Sequence, residues 1–150
     1  MRWIWIDRIL ELKKAERCVA IKNISLAEQV LHDHFPATDH YPKTPVMPNT
    51  LIIEGMAQTA GILVGHVNDF RENVILAKIT KAQFTAAAYP GDSLRFVAML
   101  EQIDGNGART NGTVERTDPA TGLTTPLGQI ALMFSHVSVR QLESVTLDQT

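Results

Sequence analysis

Glu54 is the side chain whose surroundings point most directly to chemistry. It stands in TLIIEGMAQTAG, with Ile52, Ile53, Met56 and Ala57 around it. An apolar setting strips water from a carboxyl and favours its neutral form. A carboxyl held neutral near physiological pH can act as a general acid. Gln58 follows four positions later, on the same face of a helix and within hydrogen-bonding reach. Spacing alone leaves a second reading open, in which Glu54 faces solvent or a structural partner.

The histidines are the other candidates. The stretch DHFPATDHYPKT, Asp33 to Thr44, gives one six-residue phrase twice, so His34 and His40 each precede an aromatic residue and a proline. Imidazole is the usual base near neutral pH. His32, His34 and His40, with Asp33 and Asp39, also have the composition of a metal cluster. No plausible fourth ligand occurs elsewhere, and loop histidines are more often solvated or catalytic, so no metal is expected. Nucleophilic catalysis is unpromising: Cys18 lies in an expected strand without a paired base, and G-x-S-x-G is absent. No glycine-rich phosphate loop or dinucleotide fingerprint occurs.

The elements that must position these groups follow from periodicity. Trp3 to Leu12 and Glu16 to Ile24 read as strands. Segment 26–48 holds Pro36, Pro42, Pro45 and Pro48 and reads as a long functional loop. From Thr50 to about His66 the chain is apolar nearly all round, which predicts a helix buried on most sides. Asn49 is the expected N-cap. Free amides near Asn49, Thr50 and Leu51 would carry the positive pole of the helix dipole, a setting that suits a developing oxyanion. Ala57, Gly61 and Gly65 recur every four residues and predict tight packing against a sheet. Strands return in NVILAKITKAQFTAA, SLRFVAMLEQI, ARTNGTVERT and LTTPLGQIALMFSHVSV, separated by turns at Tyr89–Asp92, Asn106-Gly107 and DPATG. The expectation is a meandering antiparallel sheet curled around one helix. Residues 1–150 form one domain, with 139–150 as a flexible tail.

Composition narrows the function. The 150 residues are 45% apolar and 20% charged, with a net charge of −2, an ordinary globular balance that gives no electrostatic case for nucleic acid or an anionic membrane. A lone cysteine fits a reducing compartment. The amino terminus alternates and lacks a small-residue cleavage site, so the sequence reads as cytoplasmic.

HYPKTPVMPNTLIIEGMAQTAG resembles the signature of the 3-hydroxyacyl-acyl carrier protein dehydratases. WIDRILEL, VAIKNIS, AKITKAQF and PGDSL extend the resemblance over most of residues 3–138. It implies the α+β hot-dog fold, an antiparallel sheet wrapped round one long central helix, in a homodimer or higher oligomer, a dimer of trimers included. It implies hydro-lyase activity in fatty-acid or related lipid biosynthesis, on a 3-hydroxyacyl thioester of acyl carrier protein or CoA, without cofactor. The histidine takes the α-proton, Glu54 helps the β-hydroxyl leave, and the Asn49 amide polarises the thioester carbonyl. Tyr41, Pro48 and Gln58 are the further expected substrate contacts.

His40 precedes Glu54 by fourteen positions, the family's spacing, whereas Glu28 to His34 matches its approach to the histidine motif. A tandem duplication explains both registers. His40 is the favoured base and His34 the alternative, because the proline-bound link from His40 to the helix leaves little slack. Three departures stand out. Lys43 and Asn49 replace two family glycines, and Thr85-Ala86-Ala87-Ala88 replaces a basic segment, which weakens the case for carrier docking. Two alternatives remain: a hot-dog acyl-CoA thioesterase, and a non-catalytic acyl-binding subunit.

Overall fold

A computed structural model describes residues 3–33, 37–39 and 43–137. Its elements are β1 (Arg8–Lys13), β2 (Arg17–Asn23), α1 (Val30–Asp33), α2 (Asn49–Val67), β3 (Asn73–Phe84), β4 (Ser93–Asp104), β5 (Gly107–Thr117) and β6 (Thr124–Val137). The strands form one sheet in the order β1-β2-β4-β5-β6-β3, every pair antiparallel. The sheet curls so that α2 touches all six strands.

Alternation drives this curl. Leu94, Phe96 and Ala98 of β4 face inward, as do Ala108, Thr110 and Val114 of β5 and Ile130, Leu132 and Phe134 of β6. They meet Ile52, Met56, Ala60, Leu63 and Val64 of α2. Each large aliphatic or aromatic side chain removed from water there contributes roughly 1.5–3 kcal/mol. By length and composition α2 could cross a membrane, but half of it is buried inside this protein.

The structure changes several expectations. The first strand begins at Arg8 rather than Trp3. Its upstream residues have other partners: Trp5 N–H donates to Gln58 Oε1 at 2.8 Å, and the Asp7 carboxylate accepts from Asn23 N–H at 2.6 Å. The long loop contains a short helix, α1. Asn49 is the first helical residue rather than the cap. Pro48 is the N-cap, extended at φ −56° and ψ 131°, with no side-chain capping bond. Its carbonyl accepts from Leu51 and Ile52 at 2.9 and 3.2 Å. The β4–β5 hairpin closes one residue earlier than Asn106-Gly107. Asp104 pairs with Gly107 across Gly105 and Asn106, and Asp104 Oδ1 accepts from Asn106 N–H at 2.8 Å. The expected tail, 139–150, lies outside the described residues.

The small residues of α2 also divide differently. Gly55 is the tight one: a Cβ there would run into the ring of Phe96, which is fully buried. At Gly65 a Cβ would stand 2.8 Å from the Phe70 ring. At Gly61 the nearest atom would be Phe134 Cε1 at 3.7 Å, an ordinary contact. Ala57 and Gly61 line a groove instead of meeting a strand closely.

Two predictions follow from this packing. Gly55→Ala should cost about 1–3 kcal/mol by overpacking, whereas Gly61→Ala should be neutral or gain roughly 0.5–1 kcal/mol from helix propensity. Urea unfolding of the two variants measures the contrast. Cys18 is fully buried, and burial pushes its thiol from 9.0 up to about 11. The unfolded chain therefore ionises first, and this thiol's effect is a loss of stability as pH rises from about 9 towards 11. Native protein should resist alkylation by iodoacetamide at neutral pH and react once unfolded in urea.

Candidate active site

Glu54, Ala57, Gln58, Gly61 and Ile62 follow one another at helical spacing and form a stripe of α2 that opens into a groove. The groove has a volume of about 680 Å³. Ile4, Ile6 and Ile9 wall one side; Phe70, Val74, Leu76 and Phe134 wall another. Glu54 and Gln58 are half-buried. Gln58 donates to Glu54 Oε1 at 2.8 Å. The same amide donates to the Trp3 carbonyl at 3.3 Å and accepts from Trp5 N–H. Asp7 and Arg8 also line the groove. A carboxyl in a largely apolar groove suits proton transfer to an amphiphilic substrate.

The helix start opens elsewhere. Pro48, Asn49 and Thr50 line a second groove of about 580 Å³ with Val46, Phe84 and Ala87. Asn49 lies five residues before Glu54, about 140° around the helix axis at 3.6 residues per turn. Within one chain the two groups line different grooves. Asn49 and Thr50 are exposed, and their amides precede the first intrahelical bonds, which start at Leu51.

His34, His40 and Tyr41 lie outside the described residues. His32, at the end of α1, is exposed, and its Nε2 lies 3.0 Å from the Leu26 carbonyl. Among the described residues no three His, Cys, Asp or Glu side chains gather as metal ligands. Of the expected site residues, then, the fold joins Glu54 to Gln58 and separates both from Pro48 and Asn49.

Sequence reasoning missed the amino-terminal segment. Trp5 is buried, and Lys22 Nζ sits 4.3 Å from the centre of its ring. Lys22, itself buried, pairs with Glu28 at 2.9 Å and lies 3.8 Å from Asp7. A lysine needs such partners when buried. The alternation of Trp3 and Trp5 with Ile4 and Ile6 hinted at a buried edge, but no local signal tied it to Gln58.

Comparison with known proteins gives the family and the fold. The FabA-like domain family model matches residues 3–117. A 3-hydroxyacyl-acyl carrier protein dehydratase FabZ of Caldanaerobacter subterraneus subsp. tengcongensis is 36% identical over 102 residues, covering 67% of this chain and 68% of that protein. A chain of the dehydratase heterocomplex ApeI:P from Xenorhabdus doucetiae superposes with a TM-score of 0.68 at 16% identity, over 95% of this chain and 89% of that one. A thioesterase superfamily member from Thermus thermophilus gives 0.66 at 17% identity, over 93% and 94%. These two likenesses establish the hot-dog fold. The chain belongs to the FabA-like domain family.

Proposed function

We propose that this FabA-like chain is a 3-hydroxyacyl thioester dehydratase of fatty-acid or related lipid biosynthesis, forming the trans-2-enoyl thioester. The observation that carries the reading is Glu54. It is a half-buried carboxyl on a stripe of the core helix that lines a groove walled largely by apolar side chains. The FabZ relative supplies the reaction class.

The chemistry divides as follows. His40 removes the α-proton, and the C–H electrons form the new double bond. The bond from the β-carbon to its hydroxyl breaks, and Glu54 protonates the departing oxygen to give water. The proton gained by His40 then returns to Glu54 through solvent. Charge that builds on the thioester oxygen is met by the Asn49 amide at the positive end of α2. Pro48 and Tyr41 are further substrate contacts. Ala57, Gly61, Ile62, Val74 and Phe134 offer an apolar bed for the acyl chain.

The divergence of Asn49 and Glu54 around α2 favours a site completed by two copies, with His40 and Asn49 from one and Glu54 from the other. An exposed edge strand points the same way. Among the described residues β3 pairs only with β6, and Ile75, Leu76 and Ile79 stand 42%, 36% and 46% exposed along it. Unpaired strands of this length and apolarity invite a second sheet. The carrier is acyl carrier protein, with CoA as the alternative, since Thr85–Ala88 brings no positive charge. The setting is the cytoplasm.

Glu54→Gln should fold normally and lose about 10²-fold or more in dehydration rate, the usual contribution of a general acid. Enoyl thioester absorbance measures it, and free-thiol release run in parallel tests for thioester hydrolysis. Near-parental enoyl formation in the variant would remove Glu54 from the chemistry. Co-refolding inactive His40→Ala chains with inactive Glu54→Gln chains should restore part of the activity. A strictly monomeric mass in light scattering would end the shared-site reading.

A further inference from the structure

We propose that the amino-terminal segment decides which oxygen of Glu54 carries the acid's proton. Trp3 and Trp5 clamp the Gln58 amide through their main chain, Gln58 then donates to Oε1, and the proton is left on Oε2. The inference rests on the role of Glu54 as the acid.

The clamp follows from what main-chain groups can and cannot do. An N–H only donates, so the Gln58 atom 2.8 Å from Trp5 N is the amide oxygen. A carbonyl only accepts, so the Gln58 atom 3.3 Å from the Trp3 oxygen is the NH₂. The flipped amide would set N–H against N–H and carbonyl against carbonyl. With that orientation fixed, the amide's other hydrogen points to Glu54 Oε1 at 2.8 Å. In a neutral carboxyl the carbonyl oxygen is the better acceptor, so Oε1 takes the amide hydrogen and the hydroxyl is Oε2. No hydrogen bond from a described residue engages Oε2, and Glu54 lines the groove. The acid is thereby held as a donor toward the channel.

The segment holds its place without strand pairing. Trp5 is only 8% exposed, its ring lies under Lys22 Nζ, and Lys22 is fixed by Glu28. Trp3 stacks at a tilt on Trp5, ring centres 5.2 Å apart. Gln58 is therefore a positioning residue. Both hydrogens and the oxygen of its amide are committed within the chain, which argues against its expected role as a direct substrate contact.

Three measurements test this. Trp5 N–H should exchange slowly with solvent in the parent and quickly in Gln58→Met, an NMR readout that needs no turnover. Gln58→Met should lower kcat by about tenfold, the scale of a lost orientation, with KM nearly unchanged. Gln58→Glu supplies a pH-dependent rescue. Its introduced carboxyl mimics the amide when protonated and has no donor when ionised. Its kcat relative to the parent should fall as pH rises from about 5 to about 8, through a carboxyl's upper range, while that of Gln58→Met stays level. Fast exchange of Trp5 N–H in the parent would overturn the clamp. So would parental kcat in Gln58→Met, a rise in KM alone, or a pH-independent ratio in Gln58→Glu. A parent without dehydratase turnover would defeat the functional reading instead, and the exchange result would then decide the clamp alone.

Discussion

Enclosure of α2 by a single curled sheet is the constraint on which the rest depends. The helix is 19 residues long and apolar nearly all round, so it is stable only where every side but one is covered. Six strands supply the cover, and the notch at Gly55 lets Phe96 of β4 lie against the helix backbone. A carboxylate at Met56 or Ala60 would be buried without partners, at a cost of several kcal/mol. At Glu54 the same group meets an open groove and the Gln58 amide. The sheet thus leaves a stripe for polar chemistry that carries Glu54 and Gln58, while Thr59, fully buried, donates its hydroxyl to the Gly55 carbonyl at 2.7 Å.

The amino-terminal segment shows the same economy in reverse. Trp3 to Asp7 forgo regular strand bonds, yet several of their polar groups find other partners, although the buried Trp5 indole N–H has none among the described residues. Trp5 N–H goes to Gln58, Asp7 N–H to the Ile21 carbonyl at 2.8 Å, and the Asp7 carboxylate to Asn23. Lys22, though buried, pairs with Glu28 and rests on the Trp5 ring. A stretch that would otherwise have been an edge strand becomes the wall of the groove that holds Glu54.

Much of this was legible in the sequence, and the failures share a cause. Strand alternation and the all-round apolarity of Thr50 to His66 placed α2 and five strands within a few residues, because those signals are local and periodic. Glu54 with Gln58 was legible because i and i+4 meet on any helix. The early end of the first strand was not, since it depends on Gln58, 53 positions away. Gly61 was expected to pack tightly and Gly55 was not singled out, for a similar reason: spacing every four residues marks a face but does not say which strand meets it. Asn49 looked like a cap by residue type, yet Pro48 already held the extended backbone and the accepting carbonyl. The choice between His34 and His40 rests on the short proline-bound link from His40 to the helix, since register fits both copies.

Register and enclosure lead to one further step. α2 can offer its open stripe to one groove and its amino end to another, but a dehydration needs an acid and an oxyanion partner within a few ångströms of the same three carbons. A monomer that resolved this by unwinding the first turn of α2 would lose the bonds from Leu51 and Ile52 to Pro48 and expose Ile52, which is now fully buried. Pairing β3 edges costs nothing comparable, because that strand's outer side has no strand partner among the described residues and carries exposed Ile75, Leu76 and Ile79. On the proposed reading, association and catalysis are then the same requirement. The helix that must be buried to fold can complete its chemistry only against a second copy of itself.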